Sequence, residues 1–389
     1  MPVMRRGQFP EFTHRQLDSI SDLQYVKVVA GELYIGAKYN NEQDLLILFK
    51  KCMFNELMTF YSVGLARNQD IDVAVNPDRS MDVKLNTAYS DNIGPVSIVD
   101  GGWIGGNHSY LEAGRLKTAI CRAYEFYADG NRLKDGDEMY AKKIEVRVHN
   151  QLYDPLTPKL DKDGSVVALT DVLIEEQVNY SIEMGNIFVQ VSHTYKNDRS
   201  RMIRRYYGMQ SMFADETHVM ISHNGFESVL GGKSVELLEG SCLGRFVEYN
   251  RENSTFQSSY LLPDVGLGDR TGVMNGNVLY TRAYGKSYHH LQESYPMRSG
   301  NTVKWAGLYT WFTPLYHSKD GLVYPAYANG KRYLFVDCFN AIEISLESVK
   351  SKGLCTSGVV QIDEGIQVEF DQNGLKIQAK GSGSALLTY

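Results

Sequence analysis

Along most of the chain, apolar side chains alternate with polar ones instead of returning every third or fourth position. A period of two marks strands with one face buried. Lys143-Ile-Glu-Val-Arg-Val-His149 alternates strictly, and Ala119-Ile-Cys-Arg-Ala-Tyr-Glu-Phe-Tyr-Ala-Asp-Gly130 reads as a strand running into a turn. From Val172 to Tyr195 the pattern predicts a hairpin, with Glu183-Met-Gly-Asn186 turning between Val178-Asn-Tyr-Ser-Ile and Ile187-Phe-Val-Gln-Val. Tyr327-Ala-Asn-Gly-Lys-Arg-Tyr-Leu-Phe-Val-Asp337 joins an Asn-Gly turn to another apolar run, and short strands are expected around Asn373-Gly374 and Lys380-Gly-Ser-Gly-Ser384.

One segment breaks the alternation. Asn41-Glu-Gln-Asp-Leu-Leu-Ile-Leu-Phe-Lys-Lys-Cys-Met-Phe-Asn-Glu-Leu57 places acids first and lysines later around continuous apolar faces, which predicts a short helix over 41–57, with a buried strand and then a short helix as the alternative. The predicted class is therefore all-β, a large multi-sheet antiparallel β-sandwich with a short N-terminal helix. The glycine-rich stretch 263–277, with Pro263, Gly266, Gly268, Gly272 and Gly276, predicts a loop or boundary between residues 1–262 and a C-terminal β region at 278–389.

Composition supports this class and narrows the partners. The 389 residues include 26 tyrosines and 35 glycines but only 10 prolines, a mixture suited to sheets and tight turns. No run of 18 apolar residues suggests a membrane span, and with 40 basic against 46 acidic residues, net −6, no global field draws a nucleic-acid backbone. The runs Met4-Arg-Arg and Arg199-Ser-Arg-Met-Ile-Arg-Arg205 read as solvated faces. Five widely spaced cysteines without a C-x-x-C pair read as reduced, mostly buried thiols. Met1-Pro-Val-Met-Arg-Arg lacks the apolar region of a secretory signal, which leaves the cytoplasm, another export route, a virion, or a chain whose leader has been removed.

The densest chemistry lies in Asp100-Gly-Gly-Trp-Ile-Gly-Gly-Asn-His-Ser-Tyr110, where four glycines frame Trp103, Asn107 and His108. Glycine permits positive φ and close approach to a ligand, tryptophan offers a flat apolar face, and histidine titrates near neutrality. Asn107-His-Ser-Tyr-Leu-Glu-Ala-Gly114 resembles the Asn-His-Ser-Tyr-Phe-Asn-Leu-Ala-Gly signature of the galactose mutarotase (aldose 1-epimerase) family. That resemblance implies a large antiparallel β-sandwich with His108 against a sugar ring. It also implies a second, downstream histidine as the acid and a glutamate near the C-terminus, for which His193, Glu364 and Glu369 are the positional matches.

A second constellation is Met202-Ile-Arg-Arg-Tyr-Tyr-Gly-Met-Gln-Ser-Met-Phe213. On a regular strand, Arg204, Tyr206, Gly208 and Gln210 share an open polar face, while Ile203, Arg205, Tyr207, Met209 and Phe213 share the other. An arginine fork pairs with a uronate carboxylate, and a tyrosine or histidine can move the C5 proton so exposed, which is the chemistry of β-elimination. Trp305, Tyr309 and Trp311 share parity, either as a stacking platform or as core.

Other motifs carry less. His193 and Tyr195 share a face with Ile187, Val189 and Val191, the setting of a satisfied core-edge histidine. His218 and His223 point to opposite faces, and the neighbours His289 and His290 diverge on a strand, so zinc is not expected. Asp161-Lys-Asp-Gly-Ser165 lacks the later ligands of a calcium loop and reads as a turn. No Walker A, Rossmann or Gly-x-Ser-x-Gly pattern occurs, so no cofactor is expected.

These residues predict a carbohydrate-active β-sandwich protein whose partner is an oligo- or polysaccharide, and they allow a homo-oligomer. Its enzymatic form is a polysaccharide lyase acting on a uronate-containing glycan. There His108, Tyr206 and Arg204 would be catalytic, and Trp103, Asn107, Tyr110 and Gln210 would bind substrate. A non-catalytic glycan-binding protein, such as a viral tail or adhesion component, and an aldose epimerase-like enzyme are the alternatives.

Overall fold

The computed structural model describes residues 22–73, 81–85, 93–212, 218–221, 227–229, 236–239, 245–262, 278–282, 286–346, 358–371 and 374–388. Strands make up 68% of the structure and helix 1%, and the strand pairing is antiparallel. Among the described residues the one helical element is a single 3-10 turn, Tyr110–Glu112.

The central layer is a ten-stranded sheet. Its strands run in the order Glu227–Val229, His218–Ile221, Arg245–Asn250, Thr255–Leu261, Thr302–Phe312, Asn186–Tyr195, Val172–Glu183, Lys143–Tyr153, Ala119–Ala128 and Asn131–Arg132. Two six-stranded sheets cover one of its faces. One comprises Glu138–Ala141, Gln24–Val29, Glu32–Lys38, Gln43–Cys52, Leu57–Arg67 and Val83–Lys84. The other comprises Glu236–Glu239, Val278–Arg282, Lys286–Met297, Arg201–Met212, Val96–Ile98 and Gly102–Ile104. Their shared core joins Ile47, Phe49 and Phe60 from the first to Tyr180, Trp305 and Tyr309 from the central layer and Ile203, Tyr206 and Met209 from the second.

The opposite face of the central sheet packs Phe188, Phe256, Leu308 and Phe312 against Leu322, Tyr324, Phe335 and Leu386. Those last four lie on a five-stranded sheet built on Gly321–Ala328, Lys331–Cys338 and Gly383–Thr388, behind which a third core leads to a three-stranded sheet of Ile342–Leu346, Gly374–Ala379 and Ile366–Asp371. The central strands are buried from both sides, so Trp305 and Tyr309 are core, at 1% and 0% exposure.

The expected hairpins form with the turns their sequences specify. Met184 and Gly185 have φ of 49° and 74°, and Asn329 and Gly330 have 53° and 71°. Two successive positive φ values make the type I′ link that matches strand twist. At the first hairpin, Glu183 accepts hydrogen bonds at 3.1 and 2.9 Å from the backbone N–H groups of Asn329 and Gly330, so one turn is fastened to the end of the other hairpin.

The expected helix at 41–57 is instead a β-hairpin, Gln43–Cys52 with Leu57–Arg67. The run Leu-Leu-Ile-Leu-Phe suits a helix and a buried strand equally in apolar content, and tertiary packing decides. Leu45, Ile47 and Phe49 point into the shared core, while Met53 and Glu56 at φ of 61° and 51° turn the chain. The expected boundary 263–277 lies outside the described residues. Strands on either side of it are paired together, Thr302–Phe312 with both Thr255–Leu261 and Asn186–Tyr195.

Candidate functional site

The turn that replaces the expected helix shapes the glycine-rich loop. Asn55, 1% exposed, directs its amide nitrogen to the carbonyls of Gly105, Gly106 and His108 at 3.3, 2.8 and 3.0 Å, and its Oδ1 accepts from the N–H groups of Thr118 and Ala119 at 3.0 and 3.3 Å. Thr118 adds a second clasp, its hydroxyl accepting from Gly105 N–H at 3.1 Å and donating to the His108 carbonyl. Phe54 N–H donates to Asn107 Oδ1 at 2.9 Å, so exposed Asn107 is also tied to this turn.

Seven residues of this segment adopt positive φ: Asp100, Gly102, Gly105, Gly106, Leu111, Glu112 and Gly114. At Gly105, φ is 77°, which favours glycine, and a Cβ would stand 3.0 Å from Leu152 Cδ2, so that any larger residue also presses on a buried leucine. Leu111 and Glu112 hold φ of 50° and 56° without that freedom, an arrangement that costs free energy and persists only where surrounding contacts impose it. This bend brings Glu112 back to His108, whose Nδ1 lies 2.7 Å from Glu112 Oε1. Tyr110 opens that turn, half-buried, with its N–H on the Leu116 carbonyl.

Trp103 sits on the edge strand Gly102–Ile104, half-buried, and is stacked against both His108 and Tyr207 with ring centroids 5.3 Å away in each case. Tyr207 continues the row to Tyr288 and His290 at 5.0 and 5.2 Å. In register across four strands, Trp103 pairs with Ser97, Ser97 with Arg205 and Arg205 with Glu293. Arg205 donates to the Tyr207 hydroxyl at 3.3 Å and lies 3.5 Å from Glu293. The result is an aromatic row with a carboxylate-backed imidazole at one end and a partly exposed guanidinium–carboxylate pair along its side. Burial pushes the His290 imidazole below its ordinary pKa, with Glu293 opposing the shift and Arg205 reinforcing it.

The open polar face expected for Arg204, Tyr206, Gly208 and Gln210 does not form. Irregularities in the pairing of Arg201–Met212, one between Ile203 and Arg205 against Val96–Ile98 and others against Lys286–Met297, disturb the simple alternation. Extra residues of this kind re-aim side chains. Arg205 therefore joins the Trp103 row, while Arg204 is exposed outside it. Tyr206 points inward at 2% exposure, stacked on His193 and accepting a hydrogen bond from Trp305 Nε1 at 2.6 Å. Burial drives its hydroxyl well above its ordinary pKa, so it keeps its proton. Gln210 is fully buried and donates to Tyr288 Oη at 2.7 Å.

The structure separates the other histidines as well. His193, completely buried, pairs with Glu176 at 2.7 Å in a core row that Asn150 completes. His289 stacks on Phe246 while His290 faces Tyr207, the expected divergence of neighbours on a strand. His223 lies outside the described residues. Glu364 and Glu369 belong to the three-stranded sheet region behind its own core, and nothing brings them to His108. Among the described residues no cluster of three metal-ligating side chains occurs, and no helix is long and apolar enough to cross a membrane. Arg201, read as solvated, instead clasps the buried carboxylate of Asp154 through Nε and Nη2.

Sequence reasoning passed over Asn55, Thr118, Glu112, Arg205 and Tyr207. Glu112 alone had a signal, four residues from His108 within the quoted motif. Asn55 and Thr118 reach the His108 carbonyl across 53 and 10 positions of chain, respectively, where no local spacing reveals them.

No family model matches this chain, and no curated protein matches it. Among solved structures, the chain is similar to the GH36 α-galactosidase AgaB from Geobacillus stearothermophilus at 10% identity and a TM-score of 0.39, over 71% of this chain and 40% of that one. It is similar to a protein assigned as an aldose 1-epimerase from Klebsiella pneumoniae at 9% identity and a TM-score of 0.36, over 76% and 86%. A chondroitin AC lyase from Streptomyces coelicolor aligns at 9% identity and a TM-score of 0.20, over 91% and 48%. The chain spans about two fifths of the length of the α-galactosidases it matches. All three names are those of carbohydrate-active proteins, and likenesses this distant assign no reaction to this chain.

Proposed function

We propose that this protein binds an oligo- or polysaccharide at the open end of the Trp103 row, with the outer face of His108 and the exposed edge of Trp103 against sugar rings and Arg205 beside a uronate carboxylate. The observation that carries the reading is the stacked series His108, Trp103, Tyr207 on a loop fixed in advance by Asn55 and Thr118. Aromatic faces complement the apolar faces of pyranose rings, and a guanidinium matches a carboxylate. A loop held by buried hydrogen bonds loses little freedom on binding, which favours affinity.

A second reading, β-elimination, draws on the His108–Glu112 contact. Glu112 orients the imidazole through its contact with Nδ1, so His108 would take the C5 proton of a uronate whose carboxylate Arg205 neutralises. The electron pair would form the C4–C5 double bond as the C4–O bond breaks, and the leaving oxygen would take its proton from the imidazolium or from water. Tyr206 has no part in this, being buried against Trp305. Binding is the better supported of the two, because elimination needs a second proton donor and, among the described residues, the side chain hydrogen-bonded to the imidazole is the carboxylate of Glu112.

Calorimetric titration with a panel of acidic and neutral polysaccharides, monitored in parallel for ultraviolet absorbance of unsaturated uronate, tests both readings. Saturable binding that His108→Gln and Trp103→Ala weaken at least tenfold supports the site. Absence of binding across the panel refutes it, and binding without a rise in absorbance eliminates the lyase.

A further inference from the structure

The five-stranded sheet covers only part of the second face of the central sheet. Phe188 and Leu308 lie beneath it, but farther along the same strands Gln190 and Lys304 are exposed and Ser192 is half-buried. Register sets His149, Gln177, Ser192 and Lys304 in one row across four strands, and alternation points all four outward. Asn179 and Gln190 form an exposed amide pair beside that row. At one end the side chains are held in place: the Glu175 carboxylate accepts from His149 Nε2 and, at 2.9 Å, from Gln151 Nε2, while Gln151 Oε1 accepts from Arg122 Nε at 2.6 Å. Groups fixed in this way lose little freedom when a ligand arrives.

Charge gives this face a preferred partner. Arg122, Arg132, Lys143, Arg147 and Lys304 outnumber Glu125, Glu145 and Glu175 with His149 counted as neutral, so it carries surplus positive charge on a chain of net −6. Glu125 is paired with Arg132 at 3.0 Å and Glu145 with Arg147 at 3.3 Å. Arg122 and Lys304, both exposed, pair with no carboxylate among the described residues. They lie on strands four spacings apart in the sheet, about 19 Å at roughly 4.8 Å each. One such spacing is close to the length of one pyranose residue in an extended chain, so a polysaccharide lying across the strands meets a new polar side chain at each sugar. Nucleic acid fits less well, because so small a surplus cannot track its phosphates and the row offers no aromatic face on which bases stack.

We propose that this open face is a second polysaccharide-binding surface, which takes an extended uronate-containing chain across its strands and makes the protein bivalent. The Trp103 row belongs to a sheet that covers the other face of the central layer, so the two surfaces lie on opposite sides of it. Lys304 and Arg122 meet uronate carboxylates toward the two ends of the bound segment, and Gln177, Ser192 and the neighbouring amides bond the sugar hydroxyls between them. Lacking a ring to stack on the sugars, this surface binds at least tenfold more weakly than the Trp103 row.

Calorimetric titration of the intact chain with octagalacturonate tests this. The unaltered protein binds in two phases, and Trp103→Ala removes the tighter phase while keeping a weaker one of one oligomer per chain. Lys304→Glu, at an exposed position, leaves the tighter phase and weakens the other at least tenfold, and added salt weakens that phase further. No residual binding in Trp103→Ala overturns the proposal, as does residual binding that Lys304→Glu leaves unchanged, that uncharged maltooctaose matches, or that single-stranded DNA exceeds. A dimer seen by sedimentation and dissolved by Lys304→Glu means that a second copy covers the face, and it overturns the proposal equally. If the unaltered protein shows only the weaker phase, the Trp103 reading fails and this one stands, so the two fail separately.

Discussion

Replacing Asn55 with alanine removes the contacts that hold the Trp103–His108 loop. The amide can make four hydrogen bonds, two as donor and two as acceptor, and its neighbours are the carbonyls of Gly105, Gly106 and His108 and the N–H groups of Thr118 and Ala119. At about 1 kcal/mol net for each buried bond, with a larger cost where a backbone group is left unpaired, the loss comes to roughly 3–5 kcal/mol. That is a large share of a typical folding free energy of about 5–15 kcal/mol. Urea unfolding followed by far-UV circular dichroism measures it, with the midpoint falling and the slope unchanged. Thr118→Ala costs about 2 kcal/mol by the same reasoning, and the double variant costs less than the sum because both side chains serve the His108 carbonyl. A loss below about 1 kcal/mol in Asn55→Ala would refute the claim that this side chain fixes the loop.

Further outcomes follow from other parts of the structure. Gly105→Ala destabilises by about 1–2 kcal/mol, since it puts a side chain at φ 77° and against Leu152; a neutral result in the same urea assay counts against the loop conformation. Burial pushes the His289 imidazole down from 6.5 to about 4, so the unfolded chain takes up a proton that the folded chain refuses. Stability is therefore intact above about pH 6.5 and falls as pH drops toward 4, by about 3 kcal/mol from this group; His289→Gln should flatten that slope, and an unchanged slope would exclude this cause. Arg245, 3% exposed, is ion-paired to Asp337, which also accepts from Ser384 Oγ at 2.6 Å. Arg245→Met leaves that carboxylate buried and costs about 3–5 kcal/mol, whereas adding Asp337→Leu restores part of the loss; no recovery in the double variant speaks against charge burial as the cause.

The fold was legible wherever a strand is regular and its turn is local. Strict alternation over Lys143–His149 marked the strand Lys143–Tyr153, and the glycines of Glu183-Met-Gly-Asn186 and of the Asn329-Gly330 pair marked turns that the structure forms with positive φ. The segment at 41–57 misled because five consecutive apolar residues satisfy either period, and only packing against Tyr180 and its neighbours makes them a strand. The site was legible in part. The motif around Trp103, Asn107, His108 and Tyr110 indeed forms one shaped loop, because its glycines and its histidine are close in sequence. Its companions on Arg201–Met212 were misassigned, since pairing irregularities obey neighbouring strands and leave no mark in the strand's own alternation. For that reason Arg205, not Arg204, lies in register with Trp103 two strands away, and Tyr206 turned into the core. The Asn55 clasp comes from chain distant in sequence, which periodicity cannot reach.

The most direct test of the glycan-binding account is the affinity of the intact chain and of Trp103→Ala for a uronate-containing polysaccharide, measured by titration calorimetry at neutral pH. The account predicts saturable binding by the unaltered protein and at least a tenfold loss in the variant, with the fold unchanged by circular dichroism. Equal affinity in the two proteins would contradict it.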